Sequence, residues 1–186
     1  MVEEARLEQR PEGLTPVTEG WFVVNVTDAA WVRNETLGSA CIFEGDEVSF
    51  SDLGYTIAVL EPGQSGGRYH REGNDEDFLV LRGECLALVE GEERPMRAWD
   101  FLHCPAGTEH AFVATGTEPC VIFMTGARRG WPDKGIFYPR SELALRHGAG
   151  VQADTADPRE AYAPFPAWEP GRPEWIGSLF RPPPAE

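Results

Sequence analysis

The chain has 186 residues, 41% of them apolar, and sets 16 Lys and Arg against 31 Asp and Glu for a formal charge of −15. That length suits one domain with its own core and is short for two. The charge repels phosphate backbones and anionic membrane surfaces and no basic stripe offsets it, so neither nucleic acid nor a membrane is an expected partner; nor does any apolar run approach the roughly 20 residues of a transmembrane helix.

An acidic opening, with Glu3 and Glu4, is unlike the basic and then apolar start of a signal peptide, so a cytoplasmic location is expected. Residues 1–20 mix Glu, Arg, Pro and Thr without periodicity and read as a flexible arm. Trp21 to Val26, rich in aromatic and β-branched residues, reads as the first strand. After a turn-rich stretch containing Asn34 and Gly38 come three short strands, Cys41–Phe43, Val48–Phe50 and Tyr55–Leu60. Further strands are expected at Phe78–Leu81 (stopping at Gly83), Cys85–Val89, Phe112–Val113 and Cys120–Met124, with a turn at Glu90-Gly91-Glu92-Glu93. Many short strands and almost no helical periodicity predict an all-β, antiparallel barrel or sandwich over residues 21–126.

Residues 127–186 read as an irregular, partly helical extension. One helix is expected at Ser141–His147, stopped by Gly148, and another behind the N-cap Asp157 with Pro158 at its first position. From Pro164 the chain is rich in Pro and Trp (Trp168, Trp175, Pro182 to Pro184), which excludes a regular strand or helix and predicts a segment lying on the barrel or on a partner subunit. The four cysteines, Cys41, Cys85, Cys104 and Cys120, form no C-x-x-C pair and three adjoin apolar strand residues, so buried free thiols are expected. Packing is the expected role for Cys104 too, although its place beside the second motif would let it face a cavity.

Two stretches carry chemistry. In Tyr69-His70-Arg71-Glu72-Gly73-Asn74-Asp75-Glu76, the residues His70, Glu72 and Glu76 share strand parity with Phe78 and Val80, so one face would hold an imidazole and two carboxylates above an apolar floor. His110 follows the turn Pro105-Ala106-Gly107, which can swing it toward the same place. Such donors suit Mn, Fe, Co, Ni or Zn, in a set similar to the two-His, one-carboxylate face that binds oxygen-activating iron. Glu76 could instead pair with Arg71 or Arg82. Asp77 has the opposite parity and should point away. The facing of His103 is open; a hydrogen-bonded core histidine and a proton-transfer role are both considered. His147 is expected to meet the end of its helix. Arg68 and Tyr69 flank the mouth, as anion binders or as a solvated edge, and Phe78, Phe101, Phe112 and Phe123 are expected in the core.

These residues resemble the cupin superfamily. His70, Glu76 and Gly83 fall at the spacing of its first motif, and Pro105, Gly107 and His110 at that of its second, a resemblance running from about Tyr55 to Gly126. Glu72 stands where the family has a second His, Trp99 replaces a glycine, Ala114 replaces an Asn, and Gly63 lies one position early. The resemblance implies a jelly-roll barrel, usually a homodimer, with a divalent transition metal (Zn, Fe, Mn or Ni) at its mouth. The expected function is a metal-dependent enzyme of dioxygenase or isomerase type on a small molecule. Its metal would be held by His70, Glu72, Glu76 and His110, with Glu72 or His103 for proton transfer. Two alternatives stand beside it: a non-catalytic barrel that binds a small ligand or a metal, and an empty, degenerate site.

Overall fold

The computed structural model describes residues 1–130 and 135–173. A hairpin of β1 (Leu7–Arg10) and β2 (Gly13–Pro16) is followed by β3 (Ala30–Asn34), β4 (Gly38–Ile42) and β5 (Leu53–Leu60). Next come β6 (Glu76–Arg82), β7 (Glu84–Val89), β8 (Glu92–Arg97), β9 (Phe101–Cys104), β10 (His110–Ala114) and β11 (Cys120–Ala127). Two helices, α1 (Glu142–Arg146) and α2 (Pro158–Tyr162), and the two-residue β12 (Glu169–Pro170) lie in the extension. The large sheet runs β12-β3-β4-β5-β11-β6-β9 and the small one β10-β7-β8, every pairing antiparallel. The protein is therefore an all-β, antiparallel fold, as the strand pattern predicts.

Alternation along the strands explains the core. Leu60, Phe78, Val80, Cys120 and Ile122 of the large sheet meet Cys85, Ala87, Phe112 and Ala114 of the small one in a single buried cluster. The other face of the large sheet buries Trp31, Cys41, Ile57, Val59 and Val121 beneath Val24 and Val26. The other face of the small sheet buries Leu88, Ala111 and Val113 beneath Leu143 and Ala144 of the extension. All four cysteines are free and buried, and Cys104 packs in the inter-sheet core.

Both helices start as their caps predict. Ser141 accepts from the Ala144 amide ahead of α1, and Asp157 accepts from the Arg159 amide ahead of α2. His147 is the C-cap of α1, and its Nε2 lies 2.8 Å from Glu93 Oε1. The β7–β8 connection is a two-residue turn with Glu90 and Gly91 both at positive φ, the hairpin type whose twist suits antiparallel strands.

Several expectations are corrected. Residues 7–16 pair as a hairpin where no regular structure was expected. The segment Trp21–Val26 is not a strand: the Asn25 side chain takes the Thr27 amide and hydroxyl, and its carbonyl takes the Asp28 and Ala29 amides, turning the chain. Val26 then offers its carbonyl to the Trp31 indole. Val48–Phe50 is not a strand either; the Phe50 amide donates to the Glu44 side chain instead of to a ladder. The turn-rich stretch around Asn34 contains β3. Pro170 lies in a strand after all, at the sheet edge where a missing donor is tolerated. Phe101 is 62% exposed, outside the core. Trp175 and Pro182 to Pro184 lie outside the described residues.

Trp99 occupies the left-handed region at φ 76° and is 75% exposed. A bulky residue held there costs on the order of 1–2 kcal/mol, and little packing offsets it. Trp99→Gly is expected to raise the melting temperature by about 2–4 °C. A fall in a thermal scan would show that the indole makes a contact worth more than the strain.

Candidate metal centre

The site begins with two backbone bonds. The His70 amide donates to the His110 carbonyl at 3.0 Å and the His110 amide returns a bond to the His70 carbonyl at 2.8 Å. This bridge ties the loop before β6 to the first residue of β10 and sets the two imidazole centroids 4.8 Å apart. The turn after β9 is tied to the same loop: Gly107 N–H donates to the Glu72 carbonyl at 2.7 Å, and Ala106 N–H to Asp75 at 2.9 Å. Glu76 opens β6 opposite Cys104 and Gly126, and the latter leaves room for its side chain: a Cβ there would lie 3.4 Å from Glu76 Cγ.

His70, Glu76 and His110 each offer a donor atom, and these atoms all lie within 4.8 Å of one another. The Nδ1 of His70 faces the Arg68 carbonyl at 2.7 Å and that of His110 faces the Thr108 carbonyl at 3.1 Å. A carbonyl can only accept, so Nδ1 is assigned the hydrogen in both rings, and in the neutral ring Nε2 carries the lone pair. His110 Nε2 then meets Glu76 Oε2 across 3.5 Å, lone pair to lone pair. Burial, and secondarily the charge of His70, pushes the His110 pKa down to about 4, so this contact is not an ion pair at neutral pH. Basic nitrogens aimed at a carboxylate, with a carbonyl behind each imidazole, form a donor set that a divalent transition metal fits.

The trio lies on the wall of a cavity of about 360 Å³ that includes Phe78, Phe112 and Met124. At another part of that wall stands a partly buried ion pair, Arg128 Nη1 and Nη2 on Glu44 Oε1 and Oε2 at 2.7 and 2.5 Å. Sequence reasoning missed both residues. The signal was indirect: Gly54 and Gly126 face each other across β5 and β11, and a Cβ at Gly54 would lie 2.9 Å from the Arg128 guanidinium.

Glu72 is buried, its Oε1 4.0 Å from His70 Nε2, and stands outside the three-donor group. The arginines considered for Glu76 pair with other acids: Arg71 with Glu109 and Arg82 with Glu118. His103 is half exposed, hydrogen-bonded at 2.6 Å to Asp77, and absent from the cavity wall. Because its neighbour Cys104 points into the core, strand alternation puts His103 on the opposite face. Asp77 points away, as its parity predicts. Arg68 does line the cavity, but its guanidinium is taken up by backbone carbonyls. It is buried, with Nε on the Ala161 carbonyl and Nη1 on those of Gly148 and Gly150. Tyr69 is buried as well, its hydroxyl accepting from Gly91 N–H.

Residues 56–126 match the family model of the Cupin domain. The chain is 29% identical over 104 residues, half of its length, to a quercetin 2,3-dioxygenase of Bacillus subtilis, and spans 31% of that relative's length. Among solved structures it superposes on a predicted oxalate decarboxylase from Thermotoga maritima with a TM-score of 0.51, at 19% identity, covering 57% of this chain and 98% of that one. A polyketide cyclase from Streptomyces resistomycificus gives a TM-score of 0.50 at 16% identity, covering 57% of this chain and 79% of that one. The fold and the spacing of its motifs are those of a cupin-type barrel, and within the chain it is residues 56–126 that match the Cupin domain. No helix among the described residues is long and apolar enough to cross a membrane.

The His110 shift has a consequence for stability. The unfolded chain takes up a proton on this ring near pH 6.5, whereas the folded one refuses it until about 4. Its contribution to stability is therefore full above pH 6.5 and is lost as pH falls through that window, by on the order of 3 kcal/mol in all. Urea titrations of metal-free protein are expected to show this decline and His110→Gln to flatten it. Equal slopes in the two proteins would contradict the assignment.

Proposed function

We propose that the chain is a metal-dependent enzyme acting on a small molecule held in the cavity beside His70, Glu76 and His110. The observation that carries this reading is the convergence of two imidazoles and a carboxylate within 4.8 Å on the wall of a cavity that Phe78, Phe112 and Met124 also line. A divalent transition metal bound there supplies Lewis-acid or oxygen-activating chemistry. The chain's own residues do the rest. The carbonyls of Arg68 and Thr108 hold the two Nδ1 hydrogens and so aim each Nε2 inward. Phe78 and Phe112 limit water beside the reacting atoms. We assign Glu72 the acceptance or return of a proton in preference to ligation, a reading supported by its burial and by its 4.0 Å approach to His70 Nε2.

Of the two reaction types expected, dioxygenation is the one the quercetin 2,3-dioxygenase relative supports. That relative is more than three times as long as the matched stretch, so its substrate is not carried over. The Arg128–Glu44 pair adds a second polar point to a wall of mixed character, which suits a compact organic substrate carrying a hydrogen-bonding group.

Elemental analysis of untagged protein after reconstitution is expected to give near-stoichiometric Fe, Mn, Co, Ni or Zn, and His110→Ala to lose it. Absence of metal from the wild type would sink the enzyme reading and leave a metal-free binding barrel. Glu72→Gln, which keeps the shape of the side chain, is expected to hold metal affinity within about twofold of the wild type, because Glu72 is not among the three converging donors and the two Nδ1 atoms are held by the Arg68 and Thr108 carbonyls instead. A loss of an order of magnitude or more would give Glu72 a part in holding the metal.

A further inference from the structure

We propose that Tyr138 is a positioning residue for His70, so that the metal centre is completed by the C-terminal extension, outside the segment that matches the family. This inference rests on His70 serving as a ligand. His70 is not on a strand; apart from its bridge to His110, it sits in the loop that leads to β6. One side of its ring faces the His110 ring, with centroids 4.8 Å apart. The Tyr138 ring packs against it as well, at 5.7 Å and an interplanar angle of 31°. Tyr138 is 2% exposed.

The extension is fastened on both sides of this contact. Arg71 and Phe137 exchange two backbone bonds, at 2.9 and 3.0 Å, and Tyr69 N–H donates to the Ala149 carbonyl at 2.8 Å. Tyr138 itself exchanges two backbone bonds with Thr155, and its ring meets that of Tyr162 edge-on at 5.9 Å. Arg68 completes the fastening. Its Nε takes the Ala161 carbonyl near the end of α2, and its Nη1 takes the Gly148 and Gly150 carbonyls just beyond α1. Its guanidinium lies 4.1 Å over the Phe165 ring. The buried cation is thus balanced by carbonyls at the carboxyl ends of two helices. The same residue's own carbonyl holds His70 Nδ1. Arg68 therefore joins the extension to the imidazole through one amino acid. Metal affinity depends on ligand orientation within a few tenths of an ångström, and losing an outer support of a ligating histidine costs about 10–100-fold in affinity.

The experiment uses the chain described above with Tyr138→Phe, Tyr138→Ala and Val151→Ala, the last removing packing from the same extension cluster but no aromatic ring from beside His70. Co(II) titration followed by its visible absorption is expected to show affinity at least 10-fold weaker for Tyr138→Ala. It should be near wild type for Tyr138→Phe, which keeps the ring, and for Val151→Ala, even where thermal stability falls equally. In the metal-free proteins, the downfield proton signal of His70 Nδ1–H should survive in Tyr138→Phe and Val151→Ala and broaden or vanish in Tyr138→Ala. Two results would overturn the proposal: an unchanged His70 signal in Tyr138→Ala, or Co(II) weakening in Val151→Ala as large as in Tyr138→Ala. A wild type that binds no Co(II) but shows the expected His70 signals would instead count against the metal reading alone.

Discussion

The site depends on the two reciprocal backbone bonds between His70 and His110. Side chains alone would not bring these rings together, because one is on a loop ahead of the large sheet and the other opens a strand of the small sheet. The bridge converts that separation into a directly opposed, hydrogen-bonded antiparallel pair, which puts the two side chains side by side on one face. Once it forms, Glu76 needs only to lie a few residues further along the same chain to enter the same space. The Gly107–Glu72 and Ala106–Asp75 bonds then stop the second turn from swinging away.

Much of this was legible in the sequence because the relevant signals are local. Spacing identified His70, Glu76 and His110, the alternation of apolar residues found most strands, and Ser141, Asp157 and Pro158 marked helix starts. What was not legible was what the chain builds from distant parts. His103 looked available because the turn after it hides its parity, which only the β6–β9 register fixes. Arg68 reads as an anion binder because nothing near it in sequence announces that carbonyls of α2 and of the residues just beyond α1 will close around its guanidinium. Arg128 and Glu44 are 84 residues apart, and only the strand register brings them to one cavity. The hairpin of residues 7–16 was hidden for another reason: its short strands are polar, so composition spoke for an arm while backbone pairing decided otherwise.

Charge shows the same division between local and distant. A chain with a formal charge of −15 has carboxylates to spare, yet its buried Arg68 is neutralised by backbone carbonyls and an aromatic ring. Around the cavity the acids are instead confined to a few places: Glu76 within the donor group, Glu72 near the Nε2 of His70, and Glu44 engaged by Arg128 on another part of the wall. Placing the negative groups this way leaves one small region where several lone pairs converge, which is the physical requirement for attracting a cation in preference to a proton.

The margin of the large sheet carries one more consequence. Its β12 end is only Glu169–Pro170, a charged residue followed by one that has no amide hydrogen to offer. A free β3 would expose Trp31 to Arg33 as an open ladder inviting strand exchange between molecules, and a two-residue cover that ends in proline satisfies part of it while presenting a poor template for the next chain. Pro170 thus acts as a stop to edge-to-edge pairing at this margin, a benefit for a protein whose opposite sheet edge, β9, carries the exposed Phe101.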